Sequence, residues 1–234
     1  MYADDLILLS ISVSELQSML NICTCVFNDL DLPINVKKCQ CIRIGPKFKT
    51  NCSPLNINGC DLDWVDSIDY LGIKLCKSQA FKCSWNKSKG KFFKTVNVVF
   101  GRLSSKADNY LILYLINTYG IPALLYGTAA IRLKKSEIND IGRAYDCVFA
   151  KLFKVSGQRI IEQCQYYSNC LPISLLYDLN RYNFLHKLVL SGHLTNKKDI
   201  DCSDFLEYKS LKVKYNLHDC DSANKVKFKF WKYF

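Results

Sequence analysis

The sequence predicts an α+β fold: short strands with one crossing helix up to about residue 76, then a region built only of helices. Three observations carry this. Before residue 76, apolar residues come in short runs or alternate with polar ones, and the runs are punctuated by Pro33, Gly45-Pro46 and Asn58-Gly59. Beyond it, apolar residues recur three, four or seven apart, the spacing of one helix face. From Lys74 to Lys106 the chain carries nine Lys or Arg and no acid, so the charge changes character at the same place. With 49% apolar and 13% aromatic residues, the 234 residues can build a sizeable core, which excludes a disordered chain. The expected divisions are 1–76, a helical region over 77–192, and a weakly patterned basic tail over 193–234.

Each element has its own signal. Leu6 to Leu9 reads as a short buried strand. Ser12-x-x-Glu15 is a capping box ahead of Val13, Leu16, Leu20, Cys23 and Phe27, which share one helix face. That helix should stop between Asp29 and Pro33, after which KKCQCIRIG alternates as a strand does and ends at Gly45-Pro46. PLNINGCDLDWV reads as a hairpin turning at Asn58-Gly59, a pair that accepts positive φ. Ile68 to Leu75 reads as one further strand. Trp85, Phe92, Val96, Val99 and Leu103 then give a helix with an apolar stripe and a basic remainder. Further helices are expected over Asp108 to Tyr119, over Ile121 to Ala130 with Pro122 in the first turn, over Ser136 to Phe153, and over Ile173 to Leu190 after Pro172. The closing VKFKFWKYF alternates like an edge strand, but a solvated end is the preferred reading.

Lys and Arg outnumber Asp and Glu by 32 to 21, and the net charge of +11 favours a polyanion such as nucleic acid or an acidic membrane surface. The longest solid apolar run, Tyr110 to Ile116, falls well short of the roughly 20 residues of a membrane span, so no membrane crossing is expected. Thirteen cysteines, an odd number, follow an acidic start without a leader-like segment, which predicts reduced thiols in an intracellular protein. The spacings Cys23-x-Cys25 and Cys39-x-Cys41 include no C-x-x-C pair, and His186, His193 and His218 lie far downstream. Small buried hydrophobes, not a zinc site, are the simpler reading.

Two features could carry chemistry. Adjacent carboxylates at Asp4 and Asp5, ahead of an apolar run, suit two-metal nucleotidyl transfer, in which the cations activate a 3′ hydroxyl and stabilise leaving pyrophosphate. Taken alone, the pair is more simply a solvated acidic turn. The second feature is the basic helix, whose Lys82, Lys87, Lys89, Lys91, Lys94 and Arg102 are candidate phosphate contacts. Charged helix faces are commonly just solvated, but the lack of any acid in this stretch favours a nucleic-acid surface.

The order of motifs adds a resemblance. Tyr2-Ala3-Asp4-Asp5 with its apolar run resembles the Y-x-D-D motif of reverse transcriptases. The following ELQSMLNICTCVFNDLDLPINVKKCQCIRIG looks like the next segment of non-LTR (LINE or jockey-like) retrotransposon polymerases. There a helix leads to a G-L-x-x-N-x-x-K-like stretch, matched by Leu32, Asn35 and Lys38, with Asp31 at the glycine position. SIDYLGIKL is similar to the Y-L-G-I element of that family's primer grip, and IPALLYG to an element of its thumb region. Thr128-Ala129-Ala130 stand where that family often has an aromatic residue. These elements occur in the family's order across roughly the first 130 residues, and the helices through about Leu190 resemble the thumb and connecting region.

The resemblance implies a partial polymerase palm followed by a helical thumb. Asp4 would be a catalytic Mg2+ ligand and Asp5 its companion carboxylate, with Tyr2 and Ala3 near the primer terminus and incoming nucleotide. Lys38 would serve catalysis by protonating the leaving pyrophosphate or stabilising its charge. Tyr70, Leu71 and Gly72 would set the primer strand. The partners would be an RNA template and a DNA primer, with the RNA:DNA duplex gripped through its phosphates. The family's fingers and upstream metal-binding aspartate are not matched. The expectation is therefore a truncated or mis-started reading frame, inactive alone and catalytic only within a longer chain. From the residues alone, a non-enzymatic basic helical module that binds RNA or duplex nucleic acid by charge is the alternative.

Overall fold

The computed structural model describes residues 5–103, 107–192 and 203–234, and the chain is α+β, with helices and two small antiparallel sheets. It divides into two units, Met1–Lys87 and Ser88–Phe234. The strands all fall in the first, and the second is helical.

In the first unit, helix α1 (Val13–Asp29) starts where Ser12 Oγ accepts the Glu15 N–H at 3.3 Å. The predicted capping box is half made, because the Glu15 carboxylate accepts the Ser10 hydroxyl at 2.5 Å. Val13, Leu16 and Leu20 lie against a core of Cys41, Leu55, Ile57 and Leu62, as their shared face requires. The hairpin of β1 (Leu55–Ile57) and β2 (Cys60–Leu62) turns at Asn58 and Gly59, with φ of 50° and 82°. Gln17 fastens α1 to the free edge of β1. Its amide nitrogen donates to Asn56 O and its oxygen accepts the Asn56 N–H, both at 2.8 Å, as a neighbouring strand would.

Three strand expectations change. Leu6 to Leu9 is not a strand: Leu9 is 77% exposed, and Asp5 makes only an isolated bridge. No described segment lies beside the run as a ladder, and Ser10 and Ser12 turn the chain straight into α1. KKCQCIRIG is also not continuous. Val36–Lys38 is a single 3-10 turn, and beyond it only Cys41 and Ile44 form bridges, to Trp64 and Ser78. Alternation buries a strand only where a partner follows it, and here the partner is met at two points. Ile68 to Leu75 is not one strand but a hairpin. β3 (Ser67–Tyr70) pairs with β4 (Ile73–Cys76) across a turn at Leu71 and Gly72, with φ of 47° and 79°, and β5 (Cys83–Ser84) completes the sheet.

In the second unit, helix α2 (Asn86–Leu103) buries Phe92, Val96, Val99 and Phe100. Helix α3 (Asn109–Leu115) continues through a π-type turn over Ile116–Gly120 into the short α4 (Ile121–Leu124). Gly120 is small for a reason: a Cβ there would lie 3.1 Å from the Phe92 ring. The expected helix to Ala130 stops early, because Gly127 turns left-handed at φ 75° before a 3-10 turn over Thr128–Ala130. Helix α5 (Lys135–Phe153) and helix α7 (Ile173–Leu190) match their expected spans, and α6 (Gln158–Tyr167), which was not expected, lies between them.

The tail is the largest change. Residues 203–214 and 223–231 are helices α8 (Ser203–Lys214) and α9 (Ala223–Trp231). VKFKFWKYF is neither a strand nor a solvated end. Val226 and Phe230, four apart, are buried in a cluster with Tyr182, Leu185, Tyr208, Leu211 and Tyr215. The reason is the period: the same residues that alternate at short range place two of them on one helix face.

Candidate nucleic-acid interface

Tyr2, Ala3 and Asp4 lie outside the described residues. Asp5 is exposed. Among the described residues no group of three or more His, Cys, Asp or Glu could hold a metal ion. Magnesium demands an octahedron of oxygens, and of the two implied ligands only Asp5 lies among the described residues. Lys38 ends the 3-10 turn with its side chain exposed.

The three primer-grip-like residues are brought together. Tyr70, Leu71 and Gly72 form the end of the β3–β4 hairpin, with Tyr70 paired to Ile73. Leu71 occupies a left-handed conformation that bulky residues seldom adopt, a local strain of about 1–2 kcal/mol. One residue before Tyr70, the Asp69 carboxylate pairs with Lys87 at 3.4 Å.

The six basic candidates separate into two groups. Lys87 is tied to Asp69, and Lys89, only 21% exposed in its side chain, donates to Asp140 at 2.6 Å. Both are therefore partly neutralised within the fold. Lys82, Lys91, Lys94 and Arg102 are exposed and carry no carboxylate partner among the described residues. Of these, Lys82 belongs to the first unit and the other three to the second. On α2 the spacing of Lys91, Lys94 and Arg102 puts them on one stripe, about a third of a turn around the helix from the buried Phe92, Val96 and Val99. At 1.5 Å per residue that stripe extends about 16 Å. Asp69 and Asp140, which set this division, were missed by the sequence reading. Asp140 lies 51 residues from Lys89, and no local spacing joins them.

Three of the motif-like stretches share one backbone feature. Asp31, at the motif's glycine position, has φ 56°; Gly72 has φ 79° and Gly127 φ 75°. Asp31 closes α1 in a Schellman cap, with the Leu32 N–H donating to Phe27 O at 2.9 Å and the Asp31 N–H to Asn28 O at 3.1 Å. No protein-family model, curated protein or solved structure matches the chain. No helix among the described residues is long and apolar enough to cross a membrane.

Proposed function

We propose that the chain is the C-terminal palm and thumb part of a non-LTR retrotransposon reverse transcriptase, and that it holds an RNA:DNA primer-template in an intracellular setting. The observation that supports this best is that all three glycine positions of the motif-like stretches fall at left-handed backbone. A motif calls for glycine where the chain turns with positive φ or is closely approached, and positive φ at these three positions supports the reading. The bare stripe of Lys91, Lys94 and Arg102 supplies phosphate contacts that carry no sequence information, as copying any template requires.

Asp4 and Asp5 take the metal-ligand roles in the intact enzyme, with Tyr2 and Ala3 beside them and Lys38 near the pyrophosphate. Tyr70, Leu71 and Gly72 set the primer. The chain alone is expected to add no nucleotides in primer extension with Mg2+ beyond the level of an Asp4→Ala control; incorporation above that level overturns this part of the reading. Gel-shift titration tests the rest. A recessed primer-template end is expected to bind more tightly than a blunt duplex. Equal affinity for both favours the alternative, a non-enzymatic basic helical module that grips duplex by charge, and binding without salt dependence overturns both.

A further inference from the structure

Two adjoining clefts, of about 170 and 160 Å³, open in the second unit and share Asn117, Asn169 and Cys170. Asn117 is fixed: its oxygen accepts the Tyr145 hydroxyl at 2.7 Å and its amide nitrogen donates to Cys170 Sγ at 3.2 Å. Asn169 is held by its backbone in a left-handed turn, and its side-chain amide has no partner among the described residues. Two of the helices that line the clefts each give residues four apart. Tyr110 and Tyr114 on α3 are 68% and 59% exposed, while Lys227 and Trp231 stand on α9. Lys227 is exposed without a carboxylate partner among the described residues, and no acidic residue lines either cleft. The Trp231 ring continues into an aromatic group, 6.4 Å from Tyr166 and 5.8 Å from Phe234.

These groups answer the three parts of a nucleotide. Exposed rings offer faces on which any base can stack, a primary amide matches a donor and acceptor on a base edge, and an unpaired ammonium meets a phosphate. An apolar peptide would strand the Asn169 amide and desolvate Lys227. We propose that the paired clefts bind unpaired nucleotides of single-stranded nucleic acid, at a site separate from the duplex-gripping stripe of α2. The inference rests on the nucleic-acid reading above and adds a second ligand class to it.

The test titrates an oligothymidylate of roughly 4–16 nucleotides into the full chain and follows tryptophan fluorescence. Saturable quenching is expected, and Trp231→Phe is expected to remove most of it. The double variant Tyr110→Ala with Tyr114→Ala is expected to weaken binding about tenfold or more. Circular dichroism should stay unchanged, because both rings are exposed. Lys227→Gln is expected to lower the slope of log affinity against log salt by about 0.7. Wild-type affinity in the double variant overturns the proposal. So does binding of a primer-template without binding of oligothymidylate, a result that leaves the duplex reading intact; failure of both ligands removes the two together. Quenching by an amphipathic peptide that oligothymidylate does not displace assigns the clefts to a protein partner and also overturns the proposal.

Discussion

Asp146 on α5 is a carboxylate whose surroundings favour its neutral form. Burial is the largest cause, and nearby Glu162 adds to it, while hydrogen bonds from Gln158 and Gln165 act in the other direction. Its raised pKa means the folded state binds the proton more tightly than the unfolded chain does. The residue therefore favours folding below its ordinary pKa of 3.8, and that contribution is lost as pH rises through the folded value. Asp146→Asn keeps an acceptor for the Gln165 amide, which donates at 2.9 Å, and removes the charge that burial disfavours. It is expected to raise the midpoint of thermal unfolding at pH 7 and to make no difference below pH 3.8. Asp31 carries the opposite lesson, a backbone cost. Asp31→Gly should stabilise by up to about 1 kcal/mol in urea unfolding, because glycine takes φ 56° without a Cβ clash. At this scale the sequence showed Asp31 standing at a motif's glycine position but not the turn made there, and the ion pair of Lys89 with Asp140 was hidden because it is made by the fold.

Among elements, the best-read helices are those whose stripe is long and uninterrupted, α2, α5 and α7. The Asn58-Gly59 hairpin was legible from its turn pair, but Leu71-Gly72 hid a second hairpin because leucine is a poor signal for positive φ. Helices α8 and α9 escaped because their apolar faces are narrow, and their placement depends on partners distant in sequence. One of these is Arg181 on α7, only 1% exposed. Its guanidinium donates to Asp204 at 2.5 Å, to Glu207 at 2.9 Å and to Ala129 O at 2.9 Å, joining α7, the 3-10 turn and α8. The two carboxylates hold it charged despite its burial. Arg181→Ala removes one side of a buried network and is expected to cost about 3–5 kcal/mol in denaturant unfolding. Asp221 does similar work for α9, where Lys225 at 2.8 Å and Lys229 at 2.5 Å keep its carboxyl well below the usual range.

For the whole molecule, the net charge of +11 favours a polyanion in general and says nothing of where one would bind. Location depends on which cations the fold has already paired, and that divides Lys91, Lys94 and Arg102 from Lys87 and Lys89. Replacing the first three by Gln should weaken duplex binding and reduce the salt slope by about 0.9 per lost phosphate contact, measured by fluorescence anisotropy over a salt series. Replacing Lys89 should change the slope little and lower stability instead.

The cysteines make the two units separately observable. Cys25, Cys60, Cys147 and Cys220 are exposed and should alkylate at once, whereas Cys41 and Cys83 are buried in the first unit and Cys170 in the second. Burial, with Cys39 and Asp63 nearby, also pushes the Cys41 thiol up to about 11, so it stays unreactive until its surroundings open. Pulse labelling read by mass spectrometry then becomes a clock with two hands. Cys41 and Cys83 keep time for one unit and Cys170 for the other, and any difference between their rates measures how far each half of the chain breathes on its own.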